Sequence, residues 1–207
     1  MEKITMRERI LASALKLFSE KGYAGVSVDQ IAEAVGIKGP ALYNHFKGKE
    51  SILNSLSDVA ERHYKAYIAK SEAELRAAET PEDLFSSSLE QINFLLQDPL
   101  MVRIRRMIYM EQFRSPRFAE LASYHLFRGL YELYTGIFED LIAQGRMRQG
   151  SPAMLALRYV SPVSALMQIC DREPGKYPEI MEQIRAHAAD FMNACTLPDT
   201  DTGAKEK

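Results

Sequence analysis

The sequence predicts an all-α protein: an N-terminal three-helix domain containing a helix-turn-helix, followed by a larger helical body. Three observations carry that expectation. Apolar residues recur at helical spacing along most of the 207-residue chain, and no strand pattern competes. The breaks between these stretches carry capping residues, proline and glycine in the order that helix boundaries require. The run from Ser27 to Glu50, SVDQIAEAVGIKGPALYNHFKGKE, sets two short helical patterns on either side of a tight glycine turn.

The first helix is expected over 5–21, ending at Gly22. The second, over 28–35, places Val28, Ile31, Ala32 and Val35 on one face. Ser27 and Gln30 form a capping box at its start, and Gly36 stops it where a left-handed residue is needed. The third is expected over 39–45. Ile37 and Leu42 are spaced as a hydrophobic staple, and Leu42 with Phe46 continues the inward face. The opposite face displays Lys38, Gly39, Pro40, Ala41, Tyr43, Asn44 and His45, small, aromatic and hydrogen-bonding groups suited to the major groove of double-stranded DNA.

Beyond Lys49 the helix starts are marked by Thr80-Pro81, Asp98-Pro99, Ser115-Pro116 and Ser151-Pro152, each an oxygen acceptor followed by a residue that needs no amide partner. With stops near Gly145 and Gly175, the remaining helices fall at 49–77, 81–96, 99–113, 116–144, 152–171 and 177–195, giving about nine in all. Pro162 is expected to kink its helix. The expected organisation is a DNA-binding domain over 1–48, with the helix-turn-helix proper at 27–46. A ligand-binding and dimerisation domain over 49–197 and a polar, disordered tail over 198–207 complete it. The long helix from residue 49 would transmit displacement at its far end to the recognition helix, which implies a ligand switch.

The strings ILASALKLFSEKGYAGVSV at Ile10–Val28, QIAEAVGIK at Gln30–Lys38 and LYNHFKGKE at Leu42–Glu50 resemble the tetracycline-repressor (TetR) family over roughly the first quarter of the chain. That resemblance implies phosphate contacts from Ser27, Tyr43, His45 and Lys49, and base-edge contacts from Lys38, Gly39, Pro40, Ala41 and Asn44. Gly39 would let the backbone come close, Pro40 and Ala41 would meet a thymine methyl, and Lys38 would donate to guanine. Ala41 stands where many members carry a hydroxyl residue, so a polar contact from that position is not implied.

The body offers bulky, adaptable groups for an effector site: Tyr64, Tyr67, Phe94, Met101, Ile104 and Met107, then Met110, Phe113 and Tyr124. Phe127, Tyr131, Met167 and Cys170 complete the candidate set, each of which can equally be core. Arg103, Arg105, Arg106 and Arg114 interleave with these positions, and an inward one would meet either a ligand carboxylate or phosphate, or a core acid such as Glu111, the latter slightly favoured. The helices at 152–171 and 177–195 carry more apolar surface than one face hides. Ala153, Leu155, Ala156, Tyr159, Val160, Val163, Leu166, Met167 and Ile169 lie on the first, and Ile180, Ile184, His187, Ala188, Phe191 and Met192 on the second. A four-helix homodimer interface is expected, as the resemblance also implies.

Other functional classes fare poorly. Formal net charge is −2, yet residues 1–50 hold eight Lys or Arg against six Asp or Glu, a mild local basic bias. No nucleophile elbow, phosphate loop or zinc signature occurs, so neither an enzymatic role nor a cofactor is expected. His63 and His125 lack a converging carboxylate motif, and no metal is expected. Cys170 and Cys195 are read as buried thiols. With no run of about 18 uncharged apolar residues and no signal-peptide core, a cytoplasmic protein without membrane partners is expected. The combined expectation is a repressor that binds a pseudo-palindromic operator as a homodimer and is released by a small apolar or amphipathic effector. The alternative is a helical small-molecule-binding or interaction protein whose helix-turn-helix is structural.

Overall fold

The computed structural model describes residues 4–195. Its helices are α1 (Met6–Lys21), α2 (Val28–Ala34), α3 (Gly39–Leu42), α4 (Lys49–Arg76), α5 (Pro81–Gln97), α6 (Pro99–Glu111) and α7 (Pro116–Ser123). A π turn at Tyr124–Arg128 leads into α8 (Gly129–Ala143), followed by α9 (Pro152–Arg172), a 3-10 turn at Pro174–Lys176 and α10 (Tyr177–Cys195). Every regular element among the described residues is helical. The expected tail over 198–207 lies outside them.

Helix starts follow the local chemistry. Thr5 with Glu8 and Ser27 with Gln30 form capping boxes on α1 and α2. All four cap-proline pairs act as expected: the amides of Asp83, Met101, Phe118 and Met154 donate to the side chains of Thr80, Asp98, Ser115 and Ser151. Gly22 and Gly36 take φ of 69° and 76°, which lets the chain leave α1 and turn between α2 and α3.

Two elements differ from expectation. Regular α-helix in the third segment stops at Leu42, because the amides of Asn44 and His45 bond to Ala41 and Leu42 in the tighter i−3 pattern. The expected single helix over 116–144 is a continuous helical path with a π turn inserted in it. Helix α9 is long and apolar enough by length and composition to cross a membrane, the one such helix among the described residues. One of its faces, carrying Ala156, Tyr159, Val160, Val163 and Met167, is buried within the chain.

The chain divides into two compact units. Among the described residues the first contains 4–67 together with Gln97–Leu126. Its core runs from Ile10, Leu15 and Phe18 of α1 through Ile31, Leu42 and Phe46 to Ile52 and Leu53 of α4, then to Ile104, Met107 and Ile108 of α6 and Phe118 of α7. The cut by compactness therefore differs from the boundary expected at residue 48. About 48 residues bury too little apolar surface alone, and α6 and α7 complete their core. Among the described residues the second unit contains Ile68–Leu96 and 127–195, with α9 packed on both α8 and α10. Within it the rings of Tyr134, Phe138, Tyr159 and Phe191 pack together, and the Ser88 hydroxyl bonds those of Tyr134 and Tyr159 at 2.6 and 2.5 Å. Ile180, Ile184, Ala188, Phe191 and Met192 of α10 are all buried within this chain. This face of α10 packs on α9 of the same chain.

Candidate nucleic-acid interface and effector residues

Helix α2 is held at its start by reciprocal bonds, the Gln30 amide to Ser27 Oγ at 3.1 Å and the Ser27 amide to Gln30 Oε1 at 2.8 Å. The Ser27 hydroxyl is thus an acceptor within the chain, and its own proton remains available to an outside acceptor. After Gly36, Leu42 and Phe46 turn inward, 0% and 4% exposed, which forces the rest of α3 and the following turn outward. Lys38, Pro40, Tyr43, Asn44 and His45 are exposed and form one outward row, with Gly39 and Ala41 half-buried beneath it.

Two expected contact residues have other work. A Cβ on Gly39 would lie 2.3 Å from Asp29 Oδ1, so the glycine permits α3 to approach α2. The Lys49 ammonium donates to the carbonyls of Tyr23 and Val26, both at 2.7 Å, and stands 4.1 Å from the Tyr23 ring centroid. Two of its three N–H donors thereby clamp the loop before α2.

Other residues that position this surface escaped the sequence reading. Arg7 donates to the His45 carbonyl at 3.1 Å and to Ser55 Oγ at 3.2 Å, with its guanidinium 4.3 Å from the Phe46 ring centroid. Arg9 donates to the Val35 carbonyl at 3.0 Å. These cations satisfy carbonyls at the ends of the α3 segment and α2, where helices leave acceptors open and favour positive charge. Tyr23 is a second anchor. Its amide donates to Glu111 Oε1 at 2.9 Å and its hydroxyl to Glu50 Oε2 at 2.8 Å, while Arg114 pairs with Glu50 at 2.6 Å and lies 3.9 Å from the Tyr23 ring. Burial, then the Glu50 carboxylate, push the Tyr23 hydroxyl pKa upward.

The effector candidates separate by unit. In the first, Tyr64 meets Tyr67 at 5.8 Å and Tyr124 edge-on at 5.5 Å. Met101 is buried near the start of α6. Ile104 and Met107 belong to the core shared with α1 and α4. Met110 is 50% exposed and Phe113 93% exposed. Both are corrections, since the buried stripe of α6 passes through Ile104, Arg105, Ile108 and Glu111, and Phe113 follows the end of that helix. In the second unit, Phe127 and Tyr131 stack at 5.5 Å, Met167 and Cys170 are buried, and Phe94 lies on an exposed face of α5, a further correction. Among the arginines, Arg105 is the buried one, at 3% exposure. Cys195 is also buried, and its thiol pKa is raised by desolvation. Among the described residues no three His, Cys, Asp or Glu side chains converge on a metal-sized site.

Residues 10–56, from α1 into α4, match the family model of bacterial regulatory proteins, tetR family. The biofilm operon icaADBC negative transcriptional regulator IcaR of Staphylococcus aureus is 51% identical over 47 residues, 23% of this chain and 25% of that protein. The chain therefore spans about a quarter of the length of the Staphylococcus aureus relatives it matches. The Staphylococcus epidermidis IcaR is 30% identical over 132 residues, 46% of this chain and 68% of that protein. The chain belongs to the tetR family. The fold agrees along its length: the TetR-like structure of SmeT, repressor of the Stenotrophomonas maltophilia multidrug efflux pump SmeDEF, gives a TM-score of 0.69 at 20% identity, covering 98% of this chain and 96% of that one. The same repressor in complex with triclosan gives 0.68.

Proposed function

We propose that this tetR-family chain is a transcriptional repressor that binds a pseudo-palindromic operator as a homodimer and is released by a small-molecule effector. The outward row of Lys38, Pro40, Tyr43, Asn44 and His45 carries the reading. It combines a cation, small and aromatic surface and amide and imidazole donors, on a segment braced from behind by Arg7 and Arg9. Regulation by DNA binding, in a cytoplasmic protein without catalysis, fits the names its relatives carry. Helix α9 supplies the face for a second copy, since Met154, Leu157 and Ile169 remain exposed on the side away from its buried residues. Two-fold symmetry then sets two recognition segments on successive turns of the duplex. SmeT's complex with triclosan supports an apolar or amphipathic effector drawn from the aromatic and methionine positions of the helical body. A coupling of about 1–3 kcal/mol between effector and operator changes affinity by about 5–150-fold.

Selection from a random DNA pool with purified protein tests the reading. One inverted repeat is expected to emerge, with its binding lost in Tyr43→Ala while the unfolding midpoint stays at that of the parent. No enriched sequence, or enrichment indifferent to Tyr43→Ala, rejects it in favour of a helical binding protein whose helix-turn-helix is structural.

A further inference from the structure

Two buried hydrogen-bonding atoms in the first unit have no partner among the described residues: the Tyr64 hydroxyl on α4 and Nε2 of His125 in the π turn. Both side chains are 2% exposed, and their rings stack at 4.2 Å between centroids. One unsatisfied buried polar group costs about 1–3 kcal/mol, so two on adjacent rings concentrate hydrogen-bonding capacity that the chain does not use.

The surroundings are aromatic and basic. Tyr124 meets Tyr64 edge-on, and Tyr67 lies tilted against it. Desolvation keeps both groups neutral, holding the Tyr64 hydroxyl far above the usual tyrosine range and the His125 imidazole down at about 4. The guanidinium of Arg105 acts on both, favouring negative charge at Tyr64 and opposing a second proton on His125. Glu61 acts on His125 in the opposite sense and more weakly. A neutral phenol and a neutral imidazole with hydrogen on Nε2 each donate one hydrogen bond, and the buried Arg105 guanidinium acts on both groups. The π turn carrying His125 is a helical form that occurs frequently at functional sites, and Tyr124 beside it is half-buried.

We propose that Tyr64, His125 and Arg105 recognise the effector, and that its class is a small aromatic carboxylate. Its oxygens accept from Tyr64 and His125, and its ring packs against Tyr124 and Tyr67. This rests on the effector-controlled regulation proposed above and narrows it, because an otherwise apolar effector acquires a required anionic group.

Benzoate and phenylacetate, each compared with its neutral amide, are titrated calorimetrically into parent protein and Tyr64→Phe without DNA. The acids are expected to bind, the amides to bind at least roughly tenfold more weakly, and Tyr64→Phe to weaken the acids by roughly tenfold or more. The same variant is expected to raise the unfolding midpoint of the ligand-free protein, since it removes an unsatisfied hydroxyl and keeps the ring. A lowered midpoint with unchanged acid affinity, equal affinity for acid and amide, or no binding of either acid overturns the proposal. Operator binding by ligand-free protein is measured separately. Loss of the acid site beside intact operator binding removes the effector class alone, whereas acid binding beside indifference to DNA removes the regulatory reading alone.

Discussion

Replacing Lys49 by Met keeps most of the aliphatic stem and removes the ammonium that bonds the Tyr23 and Val26 carbonyls at 2.7 Å each. A hydrogen bond to a charged group contributes about 1.5–3 kcal/mol, and the cation over the Tyr23 ring adds about 0.5–1 kcal/mol. Lys49 is half-buried, so water recovers part of the loss in the variant. The net destabilisation is then roughly 2–3 kcal/mol, a fall in unfolding midpoint of roughly 4–12 °C. Thermal unfolding read beside operator affinity over a range of salt separates a clamp from a phosphate contact. A clamp leaves the salt dependence of binding unchanged once the folded fraction is accounted for. A phosphate contact leaves stability unchanged and lowers the slope of log affinity against log salt by about one per subunit. Parent-like stability with that reduced slope would refute the inward assignment of Lys49.

Two further outcomes follow from local geometry. A Cβ on Gly25 would stand 2.5 Å from the Lys21 carbonyl oxygen, a backbone atom that cannot swing aside, so Gly25→Ala is expected to cost roughly 1–3 kcal/mol in urea unfolding; a parent-like midpoint contradicts it. His125 is depressed from 6.5 to about 4 by burial, then by Arg105. Between those values the unfolded chain binds the proton that the folded chain refuses, so stability falls as pH drops from about 6.5 towards 4, by up to about 3 kcal/mol. Unfolding against pH in the parent and in His125→Phe measures this. An acid limb of the same depth in the variant assigns the loss to other groups.

Features governed by near neighbours were legible in the sequence. Cap and proline pairs, the Gly36 turn and the outward row around Tyr43 each depend on residues within one or two helical turns. The misplaced effector candidates show where bulk and hydrophobicity alone fail. On α5 the buried stripe passes through Leu84, Ser88, Gln91, Ile92 and Leu95, so two polar residues lie inside while Phe94 stays outside. Ser88 is accommodated because Tyr134 and Tyr159 satisfy its hydroxyl, partners 46 and 71 residues away. Lys49, Arg7 and Arg9 were illegible for the same reason. Their carbonyl partners are 23–38 residues distant, and an isolated cation next to a recognition segment carries no local sign of whether it faces phosphate or protein.

The bracing of Tyr23 bears on how the first unit could be switched. Its amide is held by Glu111 at the end of α6 and its ring by Arg114 just beyond that end, while Lys49 and Glu50 from the start of α4 hold its carbonyl and hydroxyl. Val26, tied by the same lysine, immediately precedes Ser27, the cap of α2. A displacement of either helix end therefore acts on the loop that sets the start of α2, and α2 carries α3 through Asp29 and Gly39. Arg105 lies on α6 and Tyr64 on α4, so an effector engaging both groups within this unit acts on the two helices that brace Tyr23. Such a ligand alters operator affinity only to the extent that it binds one arrangement of those helices more tightly than the other. A tenfold effect needs about 1.4 kcal/mol of that preference, a magnitude that a charge-assisted hydrogen bond gained in one arrangement and lost in the other can supply.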